Sequence, residues 1–206
     1  MWLMHDIQSV RPDAAGFFLI ASEQAGYFTS AQAQVQGYNK QLLAHHTTGG
    51  RFQRLRRGLD RLRDYPSSPR EEVMAAWLAA DKEEAIVSHE SALDLLDLSD
   101  VAPSSIHLLL PRARRWFRAP PGVTLHTTTR PVMACEVVVR QGMRVTAPPR
   151  TILDVAEIGG APEQVILAAT QARQRGMIVP AHLLQAAQGR GRRVQQLIAQ
   201  ALRESA

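Results

Sequence analysis

Gly26, Gly37, Gly49-Gly50 and Gly58 interrupt the first third of the chain so often that neither a long helix nor a long strand fits between them. What fits is a set of short, separately capped elements. A first helix is expected over residues 13–24, with Phe17, Phe18, Leu19 and Ile20 supplying apolar faces and Gly26 ending it. Tyr27 and Phe28 read as a short extended piece, after which Thr29 or Ser30 caps a second helix through Gln36. Asn39 then caps a third helix running to about Thr48, with Leu42 turned inward. Phe52 and Leu55 begin a strand, Arg57-Gly58 supplies a turn, and Leu59 and Leu62 lie on the returning strand. A helix, a glycine turn and a helix, followed by a two-stranded hairpin, is the order of a winged helix-turn-helix.

The same segment concentrates charge. Lys40, Arg51, Arg54, Arg56, Arg57, Arg61 and Arg63 are opposed only by Asp60, a local balance of +6 against +5 for all 206 residues. Residues 1–70 carry nine basic and five acidic side chains, whereas residues 71–206 carry fifteen and fourteen. That asymmetry predicts a basic binding module joined to a near-neutral body, and a polyanion, DNA above all, as its partner. In a helix-turn-helix the exposed start of the second helix meets base edges. The expected contacts are therefore Thr29, Ser30, Asn39, Lys40, Gln41 and His45, with Asn39 and Gln41 suited to bidentate pairing with adenine. Arg51, Arg54, Arg56 and Arg57 are expected to meet phosphates or a narrow minor groove, Arg54 and Arg56 from one strand face.

Asp64-Tyr65-Pro66-Ser67-Ser68-Pro69 breaks both periodicities, so domains are expected at 1–64 and 70–206 with a linker at 65–69. Beyond it the pattern predicts a helix from Pro69 with Met74, Trp77 and Leu78 buried, a strand at 85–87 and a helix capped by Ser88. Strands follow at 106–110, 123–127, 136–140 and 143–146, then helices at 149–158, 162–175, 182–187 and 192–203. The expected class is α+β: a winged helix-turn-helix followed by a mixed α/β domain with a small central sheet and terminal helices.

Catalytic readings find little support. Ser88-His89-Glu90 imitates part of a triad, yet adjacent residues at a helix start point apart. The seven histidines show no HExxH or other ligand spacing, and Cys135 is the sole cysteine, so no metal, disulfide or cofactor is expected. Gly189-Arg190-Gly191 lacks the strand and lysine of a phosphate loop. Arg112, Arg114, Arg115 and Arg118 around Trp116 and Phe117 fit either a second nucleic-acid contact or a basic loop. No apolar run approaches the ~20 residues of a bilayer span, and the N-terminus lacks signal-peptide features, so a cytoplasmic location is expected.

GYFTSAQA and GYNKQLLAHHTTGGRFQRLRRGLDRL resemble the winged-helix domain of AbiEi-type antitoxins, the antitoxin halves of type IV toxin–antitoxin systems. IVSHESALDLLDLSDVAPSSIHLLLPR, GVTLHTTTRP and VRQGMRVTAPPRTILDVAE resemble segments of that family's C-terminal domain, in order over about residues 15–180. The resemblance implies an autorepressor binding double-stranded operator DNA with inverted repeats; a monomer of this size meets only one half-site, so self-association on the DNA is expected. It also implies a body that counteracts a cognate nucleotidyltransferase-like toxin, either without a stable complex or, alternatively, by direct protein contact. Carried onto this sequence, the recognition and wing positions are Asn39, Lys40, Gln41, Arg51, Arg54, Arg56 and Arg57. The wing ends in Leu59-Asp60 rather than the family's usual hydrophobic-tyrosine pair. Relatives ending in a nuclease domain are excluded, because a nuclease needs clustered carboxylates and a lysine, and the last lysine here is Lys82.

Overall fold

The computed structural model describes residues 11–98, 100 and 102–204. They form two compact units divided between Ala79 and Ala80. The fold is α+β, and among the described residues no helix is long and apolar enough to cross a membrane.

The first unit contains α1 (Ala14–Ser22), β1 (Tyr27–Thr29), α2 (Ser30–Val35), α3 (Lys40–Thr48), β2 (Phe52–Arg56), β3 (Leu59–Leu62) and α4 (Glu71–Ala79). Each helix start is fixed locally. Asp13 accepts from the Gly16 N–H, Thr29 and Gln32 exchange bonds in a capping box, and Asn39 accepts from the Leu42 N–H at 2.8 Å. Gly26 has φ +83°, and a Cβ there would lie 2.6 Å from the Tyr65 ring, so both conformation and space require glycine. The strands make an antiparallel sheet in the order β1-β3-β2. Phe17, Phe28, Tyr38 and Phe52 pack together, Phe28 meeting Phe17 and Phe52 edge to face, with Ala21, Ala33 and Leu43 completing the core.

Several sequence expectations shift here. Leu43, not Leu42, is the fully buried residue of α3; Leu42 packs at the margin. Leu55, placed with Phe52 at the start of the hairpin, is 44% exposed, because a β-bulge falls between Arg54 and Arg56 and leaves Leu55 unpaired. The same bulge overturns the shared face expected of those arginines. Arg54 stands opposite Asp60 and Arg56 opposite Leu59; these neighbours on β3 point to opposite sides, and so do their partners. The proline-rich segment is not where the compact units part. Beyond it, α4 packs on β1 and β3, and Glu71 accepts from Arg61 at 3.0 Å.

The second unit contains β4 (Ile86–Val87), α5 (His89–Leu95), β5 (Ile106–Pro111), β6 (Val123–Thr128), β7 (Val137–Arg140), β8 (Met143–Thr146), α6 (Pro148–Glu157), α7 (Pro162–Gln174), α8 (Pro180–Gln188) and α9 (Arg192–Glu204). Its sheet runs β6-β5-β4-β8-β7, with β5–β6 and β4–β8 parallel and the other pairs antiparallel. Proline opens α6, α7 and α8, a first-turn position where its missing N–H costs nothing. α5 packs on β5 and α6, and α7 and α8 pack on α9, around Leu93, Leu108, Leu110, Ile152, Leu183 and Ile198. Ser88 occupies the helix-start position but makes no capping bond; its hydroxyl lies 2.9 Å from His89 Nδ1.

Phe28 is fully buried at the centre of the first unit's aromatic cluster. Phe28→Ala should cost about 3–5 kcal/mol. In the intact chain this is read as loss of hydrogen-exchange protection across β1, β2 and β3.

Candidate functional site

In the first unit, the sequence-predicted residues separate into caps and exposed groups. Thr29 holds α2: its hydroxyl accepts from the Gln32 N–H at 3.2 Å, and its own N–H donates to Gln32 Oε1 at 2.8 Å. Ser30 donates its N–H to the Gly58 carbonyl, tying α2 to the hairpin turn. Asn39 uses its carboxamide oxygen on the Leu42 N–H, so only its NH2 remains for an external partner, short of bidentate adenine pairing. Lys40, Gln41 and His45 are exposed on α3, as are Arg51 before β2 and Arg57 in the turn.

The arginines are not equivalent. Asp60 has no exposed surface, and Arg54 donates to it through Nε at 2.5 Å, committing one edge of a guanidinium that stays half-exposed. Arg61 is structural: it donates to Glu71 and to the Pro66 carbonyl and lies 5.3 Å from the Tyr27 ring centre. Arg56 is half-buried and Arg63 exposed. His46 sits beside Phe52 and Tyr38, and burial, then Arg51 and His45, pull its pKa down, keeping it neutral. Between Tyr38 and Asp64 the exposed cations are thus Lys40, Arg51, Arg57 and Arg63, with the free edge of Arg54.

The second unit holds a constellation that sequence spacing does not show. β5 and β6 pair in parallel with His107 opposite Thr124 and Leu109 opposite His126. His107 and His126 therefore lie diagonally on one sheet face, where His89 arrives from the end of β4. The His89 and His126 rings stack at 3.6 Å, and His107 Nδ1 lies 2.9 Å from His126 Nε2. Burial, reinforced by His126 and then His107, pushes the His89 pKa down to about 2. Burial and then His107 lower His126 to about 4. Burial also lowers His107, with Glu90 opposing. All three rings are neutral near pH 7, with lone pairs available.

His89 and His126 border a cleft of about 530 Å³ whose walls also include Arg130, Arg150, Asp154 and Arg190. Asp154 is the keystone. It accepts from Arg150 Nε at 2.8 and 2.9 Å and from Arg190 at 2.9 Å, with all three side chains over nine-tenths buried. Arg150 also reaches Glu136, and Arg190 reaches Glu157. Burial alone would lower the Arg150 pKa, but Asp154 and Glu136 reverse that and raise it. Arg190 thus serves as a buried ion-pair partner for α6. Among the basic residues near Trp116, Arg114 pairs with Glu84 and Asp81, and Arg115 lies 4.9 Å from the ring centre of the exposed Trp116.

Asp154→Ala would leave two buried guanidiniums without their shared partner. The expected cost is about 3–5 kcal/mol, read as a lower urea midpoint for the transition that reports α6 and α9.

No family model matches the chain, and neither does any curated protein. Among solved structures, the chain is similar to the Rv2827c protein from Mycobacterium tuberculosis. The TM-score is 0.62 at 15% identity, over 92% of this chain and 75% of that one. That similarity is one of fold.

Proposed function

We propose that the chain is a sequence-specific DNA-binding autorepressor and the antitoxin of a type IV toxin–antitoxin system, its first unit acting as a winged helix. The observation that carries the DNA-binding part is the exposed row of Lys40 and Gln41 on α3 with Arg51 and Arg57 flanking β2, on a core that immobilises both elements. The element order and the β1-β3-β2 sheet support the winged-helix reading, in which α3 enters the major groove and the β2–β3 hairpin follows the backbone. Gln41, with its whole carboxamide free, is the base-reading residue of this proposal; Asn39 and Thr29 position the helices. Lys40, Arg51 and Arg57 supply the salt-dependent attraction to phosphates. The antitoxin role rests on the resemblance of the body's segments to AbiEi-type proteins, with a nucleotidyltransferase-like toxin as functional partner.

The test is fluorescence anisotropy with duplex DNA from upstream of the chain's own operon. Removing two phosphate contacts with Arg51→Ala/Arg57→Ala should flatten the slope of log K against log salt by about 1.8. Gln41→Ala should instead narrow the gap between operator and scrambled duplex by about 1–3 kcal/mol, leaving the slope unchanged. A double variant with wild-type affinity and slope would overturn the hairpin assignment. Loss of protection against the toxin in Gln41→Ala would contradict the assignment of antitoxicity to the body.

A further inference from the structure

The three clustered histidines of the second unit stand apart from everything the DNA-binding reading uses. We propose that His89, His107 and His126 form an open three-histidine site for a divalent transition metal of borderline softness, Zn²⁺ being the best fit. Each contributes one ring nitrogen, and the three ligand atoms lie within 4.8 Å of one another.

The neighbours assign the ligand atoms. Ser88 Oγ lies 2.9 Å from His89 Nδ1, which leaves His89 Nε2 to face inward. Ser105 Oγ lies 3.1 Å from His107 Nε2, and a Glu90 oxygen lies 3.8 Å from the same atom, which leaves His107 Nδ1. That nitrogen is 2.9 Å from His126 Nε2, the third ligand. Metal-bound imidazoles characteristically engage their second nitrogen with a hydroxyl, carbonyl or carboxylate that fixes the ring and raises its basicity. Ser88 stands in that place for His89, and Ser105 and Glu90 for His107. Tetrahedral zinc with Zn–N near 2.0–2.1 Å sets its ligand nitrogens about 3.3 Å apart. The close His107–His126 pair therefore opens slightly, while His126, the least buried of the three, turns out of its stack on His89.

Charge and backbone point the same way. All three donors are neutral near pH 7, the form a metal requires. Glu90 lies 3.8 Å from His107 Nε2, and Glu136, Asp154 and Glu157 engage Arg150 and Arg190 in ion pairs, which offsets the charge those arginines direct at His89. His89 adopts φ +51°, a strained value for a residue with a Cβ. Strain of this kind persists where the surroundings fix a side chain for a purpose. Three imidazoles leave the fourth tetrahedral position to a water, with the cleft beside it. Imidazole nitrogen suits Zn²⁺, Cu²⁺ and Ni²⁺ and disfavours Mg²⁺ and Ca²⁺.

The test uses the full chain, stripped of metal with a chelator and titrated with Zn²⁺ by calorimetry and with Co²⁺ by visible absorption. One equivalent of Zn²⁺ should bind, and Co²⁺ should develop the intense bands of a tetrahedral site. His126→Gln should abolish both signals, and Ser105→Ala should weaken Zn²⁺ binding about 10-fold through lost orientation of His107. His45→Gln/His46→Gln should leave both intact. Binding that survives His126→Gln, or that disappears with His45→Gln/His46→Gln, would overturn the proposal. If His126→Gln does not fold, the ring resonances of the wild-type histidines decide. Zn²⁺-dependent shifts at His89, His107 and His126 support the site, and shifts confined to His45, His46 or His182 refute it.

Discussion

Phe28 has no exposed surface, and the rings of Phe17 and Phe52 close on it at 4.7 and 5.0 Å. Those rings come from β1, α1 and β2, and Tyr38 joins them from the turn that leads into α3. Short elements cannot hold themselves: isolated helices below about 12–15 residues are marginal in water, and α2 and α3 have six and nine residues. Their persistence depends on this cluster. Because it joins the α3 entry to β2, it also fixes the distance between the helix that offers Lys40 and Gln41 and the hairpin that offers Arg57. A basic segment becomes a shaped surface only through that apolar knot.

In the second unit one carboxylate plays the comparable part. Asp154 draws Arg150 from its own helix and Arg190 from the turn between α8 and α9 to one point. Buried charges are tolerable only when paired and hydrogen-bonded, and here three carboxylates serve two guanidiniums. The pairing closes one wall of the cleft, and the sheet face bearing His107 and His126 supplies the other. The first unit's exposed face and the second unit's cleft thus follow opposite designs: free cations over an apolar core, and compensated charges with neutral rings.

What the sequence shows directly is local. Thr29 and Asn39 cap helices as their types and positions predict, and Gly26, Gly37 and Gly58 sit at left-handed φ where the chain turns. Most strands and helices of the second unit lie within a residue or two of their expected spans for the same reason. What stays hidden depends on pairing between distant residues. The bulge that turns Arg54 away from Arg56 is a property of how β2 meets β3. The histidines converge only because β5 and β6 pair in parallel and β4 delivers His89 beside them, a strand order that no spacing rule encodes. Arg190 looks like part of a loop because its partner is 36 residues away. The hydroxyl of Ser88 looks like a cap because the imidazole it meets belongs to the next residue.

Mapping of amide chemical shifts during titration with duplex operator DNA tests the central claim most directly. The proposed recognition surface predicts shifts concentrated in residues 39–48 of α3 and its cap and in residues 51–58 around β2 and the hairpin turn, fading as salt rises. Shifts centred instead on the second unit, or none at all at low salt, would contradict it.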